Sequence, residues 1–346
     1  MDVRLAVTGF GNVGKGVATL IRDHGEEYEE RYGLRLLLTG VADRGGAAID
    51  VGGLDLGRLL RVKDEQGSVA AYPNGREGLA GEAFLDAAGA QVLIEAASTN
   101  FEDAEPGWSY ARGAIARDMD LVLASKGALV LHYRALFDEA DSRGRRILFA
   151  GTVGAPVPVL ELADRVLVGA TIQAVEGILN ATTNQILTTM EDGFTYEDGV
   201  RKAQEAGIAE TDPTLDVDGW DAAAKAVILA NAIFGANLSL DDVEREGIRG
   251  VTLDDLQSAR AEGQSIRLIA RVERHGDGVR ATVGPMRRPA TDTLGRLRNE
   301  QMGVLFHTDP LGLVDSTVQA TGGIPTALTV LRDVFNLAKE RGWRER

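Results

Sequence analysis

No cysteine occurs anywhere in the 346 residues, which excludes disulfides, thiolate metal ligands and a thiol nucleophile. Lysine is scarce as well: it stands only at Lys15, Lys63, Lys126, Lys202, Lys225 and Lys339, and every other basic residue is arginine. Positive charge is short overall, with a net charge of −15, so a phosphate backbone is repelled and nucleic acid is not an expected partner. No apolar run approaches the roughly 20 residues that a membrane span needs, and the N-terminus MDVRLAVTGFG reads as a strand entering a glycine turn, not as a signal peptide. A cytoplasmic setting is expected. The acidic, lysine-poor composition fits either a high-salt habitat or a base composition that favours arginine codons, and the two stay open.

What is present is the balance of a globular protein, 44% apolar and 26% charged, at a length that suits two domains. Residues 4–9 are a short apolar run ending in glycine, followed by a glycine-rich turn and helical spacing to about Arg31; a second apolar run, 34–42, completes a β-α-β unit. Further buried strands are expected at 92–96, 121–124 and 147–150, separated by helical segments. Strands alternating with helices predict an α/β fold with a doubly wound parallel sheet. Past Pro158 the texture turns to mixed α+β: a long strand over 166–179, a helix over 183–191, a charged segment over 192–218, a strong helix over 221–234 and a final helix over about 326–341.

The turn Gly9-Phe10-Gly11-Asn12-Val13-Gly14 is GxGxxG placed between a strand and a helix, the context that makes the motif informative. The first glycine permits the tight turn, the second lets backbone approach a pyrophosphate, the third allows close helix–strand packing, and the helix N-terminus meets the anion. At the end of the second strand, Asp43 is placed to accept from an adenosine ribose hydroxyl, while Arg44 is placed to pair with a 2′-phosphate. They argue for opposite cofactors, NAD and NADP, and the guanidinium inclines the reading to NADP. Farther along, Asp221 and Lys225 lie four apart on one helix face. In isolation such a pair is usually a solvated salt bridge; here it follows a carboxylate cluster and precedes a strongly apolar run. A chain that uses arginine almost everywhere keeps lysine at this position, and lysine, unlike arginine, exchanges a proton.

Five segments together resemble homoserine dehydrogenase: Ile94 to Asn100, Ala124 to Ala128, Gly177 to Asn184, Ala209 to Lys225, and Thr321 to Ala327. The acidic stretch ending at Lys225 is the most specific of them. The resemblance spans nearly the whole chain and implies NAD(P)-dependent interconversion of L-aspartate 4-semialdehyde and L-homoserine, in threonine and methionine biosynthesis. It implies Lys126 and Lys225 as the active-site lysines, Glu210, Asp216 and Asp221 as substrate-holding carboxylates, and Thr182 beside them. It further implies a nicotinamide site lined by Ser98, Thr99, Ser125 and the Gly322-Gly323 turn, and a homodimer or higher homo-oligomer. The family commonly carries asparagine where this chain has Ser125, glycine where it has Ala181, and glutamate where it has Ala150; the last belongs to a monovalent-cation site in some relatives, and no metal is expected here. With little chain after the Gly-Gly-Ile-Pro turn, the short form without a regulatory ACT domain is expected, and with it no allosteric inhibition by threonine.

The expected organisation is a dinucleotide-binding Rossmann domain over 1–150, rejoined by about 320–346, and a substrate-binding and dimerisation domain over 151–319, with the active site at their cleft. Another small-aldehyde or hydroxy-acid dehydrogenase on the same scaffold remains a rival, as does a non-catalytic dinucleotide-binding sensor. Aldehyde dehydrogenases that need a cysteine nucleophile are excluded.

Overall fold

The first strand, β1 (Asp2–Thr8), is buried continuously from Leu5 onward, as a central strand covered on both faces must be. It lies between β2 (Arg35–Asp43) and β5 (Val92–Glu95), parallel to both, with Leu5 facing Leu38 and Val92. The parallel ladder continues through β6 (Asp120–Leu123) to β7 (Ile147–Leu148). On the other edge two short strands, β3 (Gly46–Ile49) and β4 (Arg76–Glu77), are antiparallel. The sheet order is β4-β3-β2-β1-β5-β6-β7, so strand order reverses at β1, the crevice where open α/β sheets bind ligands. The parallel core agrees with the sequence expectation; the antiparallel edge was not anticipated, because β3 is only four residues long and β4 two.

The computed structural model describes residues 1–319 and 322–343. The chain divides into two units, Met1–Thr152 with Gly323–Arg346, and Val153–Gly322. In the first, the helix Asn12–Tyr32 ends at Gly33, whose left-handed backbone (φ +68°) lets its N–H return to Glu29 O at 2.8 Å. The C-terminal helix Gly323–Glu340 lies against it: a side chain at Gly16 would meet Ala327 Cβ at 2.7 Å, and Phe335 stacks on Tyr32 at 4.5 Å. Polar ties complete the return, with Ala150 N donating to Asp333 at 2.8 Å and Arg341 gripping Asp120 at the start of β6. Val330, Leu331, Val334 and Leu337 are fully buried there, each contributing about 1.5–3 kcal/mol relative to exposure.

The second unit carries a six-stranded sheet of β8 (Thr171–Ile178), β9 (Val243–Arg245), β10 (Gln264–His275), β11 (Gly278–Pro289), β12 (Met302–Asp309) and β13 (Gly312–Val318), in the order β13-β12-β8-β10-β11-β9. The helix Trp220–Phe234 packs on β10 and β11 with an almost unbroken buried run from Ala222 to Asn231.

Two expectations are corrected. The strand expected over 166–179 begins only at Thr171: residues Leu162–Val166 form a π-helical turn, and Val166 and Val168, which suggested a strand, are exposed. The charged segment 192–218 contains a helix, Tyr196–Glu205, capped reciprocally by Thr195 and Asp198. It docks through Gly199 and Ala203, with Gly199 against Ile186, so no stripe of large apolar residues advertised it. Among the described residues no helix is long and apolar enough to cross a membrane.

Candidate active site

Two groups of polar residues stand out, one in each unit. In the first, the turn after β1 follows from three glycines with different constraints. Gly9 has φ +83°, and a Cβ there would lie 2.2 Å from Ala96 O; one on Gly14 would lie 2.3 Å from Gly9 O. These two are held by the protein's own backbone. Gly11, the residue preceding the helix Asn12–Tyr32, has nothing within 4 Å of where a Cβ would be, and Gly11 and Asn12 are exposed. The open space at a bare helix N-terminus fits a pyrophosphate. Val13 is half-buried behind it, and Gly323 sits alongside, 3.3 Å from Asn12 Cβ to an added Cβ. Gly322, with φ +101°, is exposed.

Asp43 is engaged by neighbouring donors. Its carboxylate accepts from Gly45 N (2.9 Å) and Ser68 Oγ (2.7 Å) on one oxygen, and from Lys63 Nζ (2.7 Å) and Val69 N (2.9 Å) on the other. These donors occupy its roughly four acceptor positions. Burial works to raise its pKa, but the Lys63 ammonium, the Val69 and Gly45 amides and the Ser68 hydroxyl together hold it below the usual carboxylate range. Arg44, next in the chain, is exposed, its Nη2 3.5 Å from Ser98 Oγ.

At the ends of β5 and β6 two loops meet. Ser125 donates to Glu95 in a short hydrogen bond, and Ala97 N donates to the other carboxylate oxygen at 2.8 Å. Thr99 Oγ1 accepts from Lys126 N at 3.2 Å, and Lys126, half-buried, precedes the short helix Gly127–Leu131. Burial pushes the Glu95 carboxyl up to about 7, against the lowering by Ser125 and the Ala97 amide.

In the second unit the hub is Asn180, buried at the N-cap of the helix Ala181–Glu191, where its Oδ1 accepts from Thr183 N at 2.9 Å. Its Nδ2 donates to Asp216 (2.6 Å) and to Asp221 (2.9 Å). Lys225 Nζ donates to Asp221 and to Leu179 O, both at 2.5 Å. Lys225 is 12% and Asp221 15% exposed, so this is no solvated surface bridge. Burial, and then the charge of Asp221, raise the Asp216 pKa, with Asn180, Lys225 and Thr182 acting the other way. Thr182, buried, donates to Ile208 O at 3.2 Å. Glu210 is exposed, its carbonyl taking a bond from Gln204. The fold thus gathers Thr182, Asp216, Asp221 and Lys225 and keeps Glu210 at the surface of the same unit. Asn180, Glu95 and Lys63 escaped the sequence reading. The available signals were a lone amide between Leu179 and Ala181 before a helix and a glutamate closing the apolar strand Val92–Glu95.

Comparison with known proteins places these groups. A homoserine dehydrogenase family model matches residues 158–335, and the model of the homoserine dehydrogenase NAD-binding domain matches residues 9–150. The chain belongs to the homoserine dehydrogenase family. It is 34% identical to the NAD(+)-dependent homoserine dehydrogenase of Pseudomonas canavaninivorans, over 97% of this chain and 96% of that one. It is 35% identical to the homoserine dehydrogenase of Methanocaldococcus jannaschii, over 97% and 98%. Among solved structures, a hyperthermophilic archaeal homoserine dehydrogenase in complex with NADPH superposes with a TM-score of 0.84 at 25% identity, covering 98% of both chains. The open glycine turn therefore lies within the family's NAD-binding region, and Asn180, Asp216, Asp221 and Lys225 lie within the segment that matches the homoserine dehydrogenase model.

Proposed function

We propose that Lys225, held by Asp221 and the Leu179 carbonyl, is the acid/base group of this chain's reaction. The chain is an NAD(P)-dependent oxidoreductase of the CH–OH group, interconverting L-homoserine and L-aspartate 4-semialdehyde. The single observation that carries the assignment is the partly buried Asn180–Asp216–Asp221–Lys225 cluster. When bound, the dinucleotide supplies or accepts the hydride. The protein's share is then to stabilise and protonate the developing alkoxide, and a lysine ammonium does both. Lys126 polarises the carbonyl oxygen in this reading, and the two lysine roles are interchangeable. Asp216, Asp221 and Glu210 receive the substrate ammonium, with Thr182 beside them.

The residues that would hold the dinucleotide are Gly9, Gly11, Asn12, Val13 and Gly14 at the pyrophosphate, with Ser98, Thr99, Ser125, Gly322 and Gly323 toward the nicotinamide. The cofactor is NAD or NADP, and NADP is favoured here because Arg44 is exposed while Asp43 is fully engaged elsewhere. Residues 1–150 with about 320–346 serve the dinucleotide, and 151–319 serve the substrate and dimerisation, in a cytoplasmic homodimer. Cofactor reduction on homoserine, with NAD and NADP side by side, tests the reading: turnover with either supports it. Turnover only on other hydroxy acids transfers the site to another substrate, and absence of turnover with tight nucleotide binding makes the chain a sensor.

A further inference from the structure

Glu95 is 1% exposed and lies where the two loops after β5 and β6 converge. One carboxylate oxygen takes the Ala97 amide, at the start of the segment that carries Ser98 and Thr99; the other takes the Ser125 hydroxyl, next to Lys126. The backbone closes over the pair, since a Cβ at Gly107 would fall 3.1 Å from Ser125 Oγ and 3.2 Å from Glu95 Oε2. The neighbours that face it are Thr8 of β1, Ala97, Gly107 and Ser125, none of them charged. Charges on the surrounding elements are engaged elsewhere: Asp2 with Arg35, Asp120 with Arg341, Glu105 with Ser109 and Arg112 with Glu139. Lys126 is the cation next in the chain.

A fully buried carboxylate held only by neutral donors needs an explanation, because desolvation makes its charge costly. Resting on the placement of the nicotinamide near Ser98, Thr99 and Ser125, we propose that Glu95 is a positioning residue that acts through Ser125 and the 96–100 turn, and that its negative charge favours the oxidised over the reduced dinucleotide. The oxidised nicotinamide ring is cationic and the reduced ring is neutral, so an ionised Glu95 attracts only the former. Linkage makes the effect visible in pH: binding of the oxidised form favours ionisation of Glu95, and ionisation in turn favours that form. Since the buried carboxyl titrates at about 7, the bias lies within a range that binding measurements reach.

The test measures Kd for the oxidised and the reduced forms of one dinucleotide, by calorimetry on the full chain from pH 6 to 9. A 2′-phosphate, if present, titrates in both forms and cancels in the ratio. Kd(oxidised)/Kd(reduced) falls by about tenfold as pH rises through 7 in the parent, the factor that one pK unit of coupling represents. In Glu95→Gln the ratio is flat, and in Ser125→Ala, which removes a donor that lowers the Glu95 pKa, the inflection moves to higher pH. A merely structural Glu95 changes both Kd values together and leaves the ratio independent of pH. A flat ratio in the parent overturns the proposal, as does an unchanged inflection in folded Glu95→Gln; if that variant does not fold, an unmoved inflection in Ser125→Ala overturns it instead. Gly11→Val separates the two readings. Loss of binding there with a flat parental ratio refutes Glu95 alone, whereas unaltered binding refutes the cofactor placement and the proposal with it.

Discussion

Asp43 and Glu95 end two strands that flank β1 in the same sheet, the first half-buried and the second fully buried, and they titrate in opposite directions. Asp43 is surrounded by four donors, one an ammonium, and is held below the usual carboxylate range. Glu95 has two neutral donors and is pushed up to about 7. Burial works to raise both; at Asp43 four donors with one cation overcome it, and at the more deeply buried Glu95 two neutral donors do not. In the second unit burial and the neighbouring Asp221 charge raise Asp216, and Asn180, Lys225 and Thr182 offset them only in part.

The comparison breaks first at Lys225. Lys225→Ala is expected to lower kcat by about 10²-fold or more, the usual range for a positioned general acid/base, with dinucleotide affinity unchanged by titration calorimetry. Near-normal turnover in the folded variant removes Lys225 from the mechanism.

A second break concerns the cost of a carboxylate without a cation. The folded pKa of Glu95 is raised, so the native state holds a proton that the unfolded chain has released. The contribution of Glu95 to stability consequently falls as pH rises from about 4.5 to 7, by about 2–3 kcal/mol. Denaturant unfolding of Glu95→Gln across that interval should lack this decline; a parallel decline in both proteins places the loss elsewhere.

Lys63→Ala turns Asp43 into a counterpart of Glu95, and is expected to destabilise by about 2 kcal/mol at neutral pH, as for loss of a hydrogen bond to a charged group. Asp43 has a depressed folded pKa, so the stability it contributes is present above the unfolded value and is lost as pH falls through the folded one. The difference between parent and variant should therefore shrink toward pH 3. A difference constant with pH separates the loss from Asp43 ionisation.

Smallest is the effect of the shared amide. Asn180→Ala should lower kcat/KM for homoserine by about tenfold, about 1.4 kcal/mol, and move the acidic limb of its pH profile upward, because Asn180 lowers the Asp216 pKa. An unmoved limb shows that Asp216 is not the group that titrates.

The cofactor turn was legible in the sequence because strand, glycines and helix N-terminus follow one another directly in the chain; Gly14 answers to Gly9 within the motif, whereas Gly9 answers to Ala96, which only the fold brings beside it. The pairing of Asp221 with Lys225 was legible for the same reason, since four residues on a helix bring side chains together. The parallel strands showed as apolar runs, but the helix Tyr196–Glu205 did not, because it docks by small residues. Tertiary structure decided the states of the carboxylates by adding distant donors to the local amides of Gly45 and Ala97. Asp43 meets donors 20, 25 and 26 residues away, Glu95 one 30 away, and Asn180 joins carboxylates 36 and 41 residues beyond it. Local sequence spacing sets which residues share a turn or a helix face; the charge a buried group carries depends also on partners that only the folded chain brings within 3 Å.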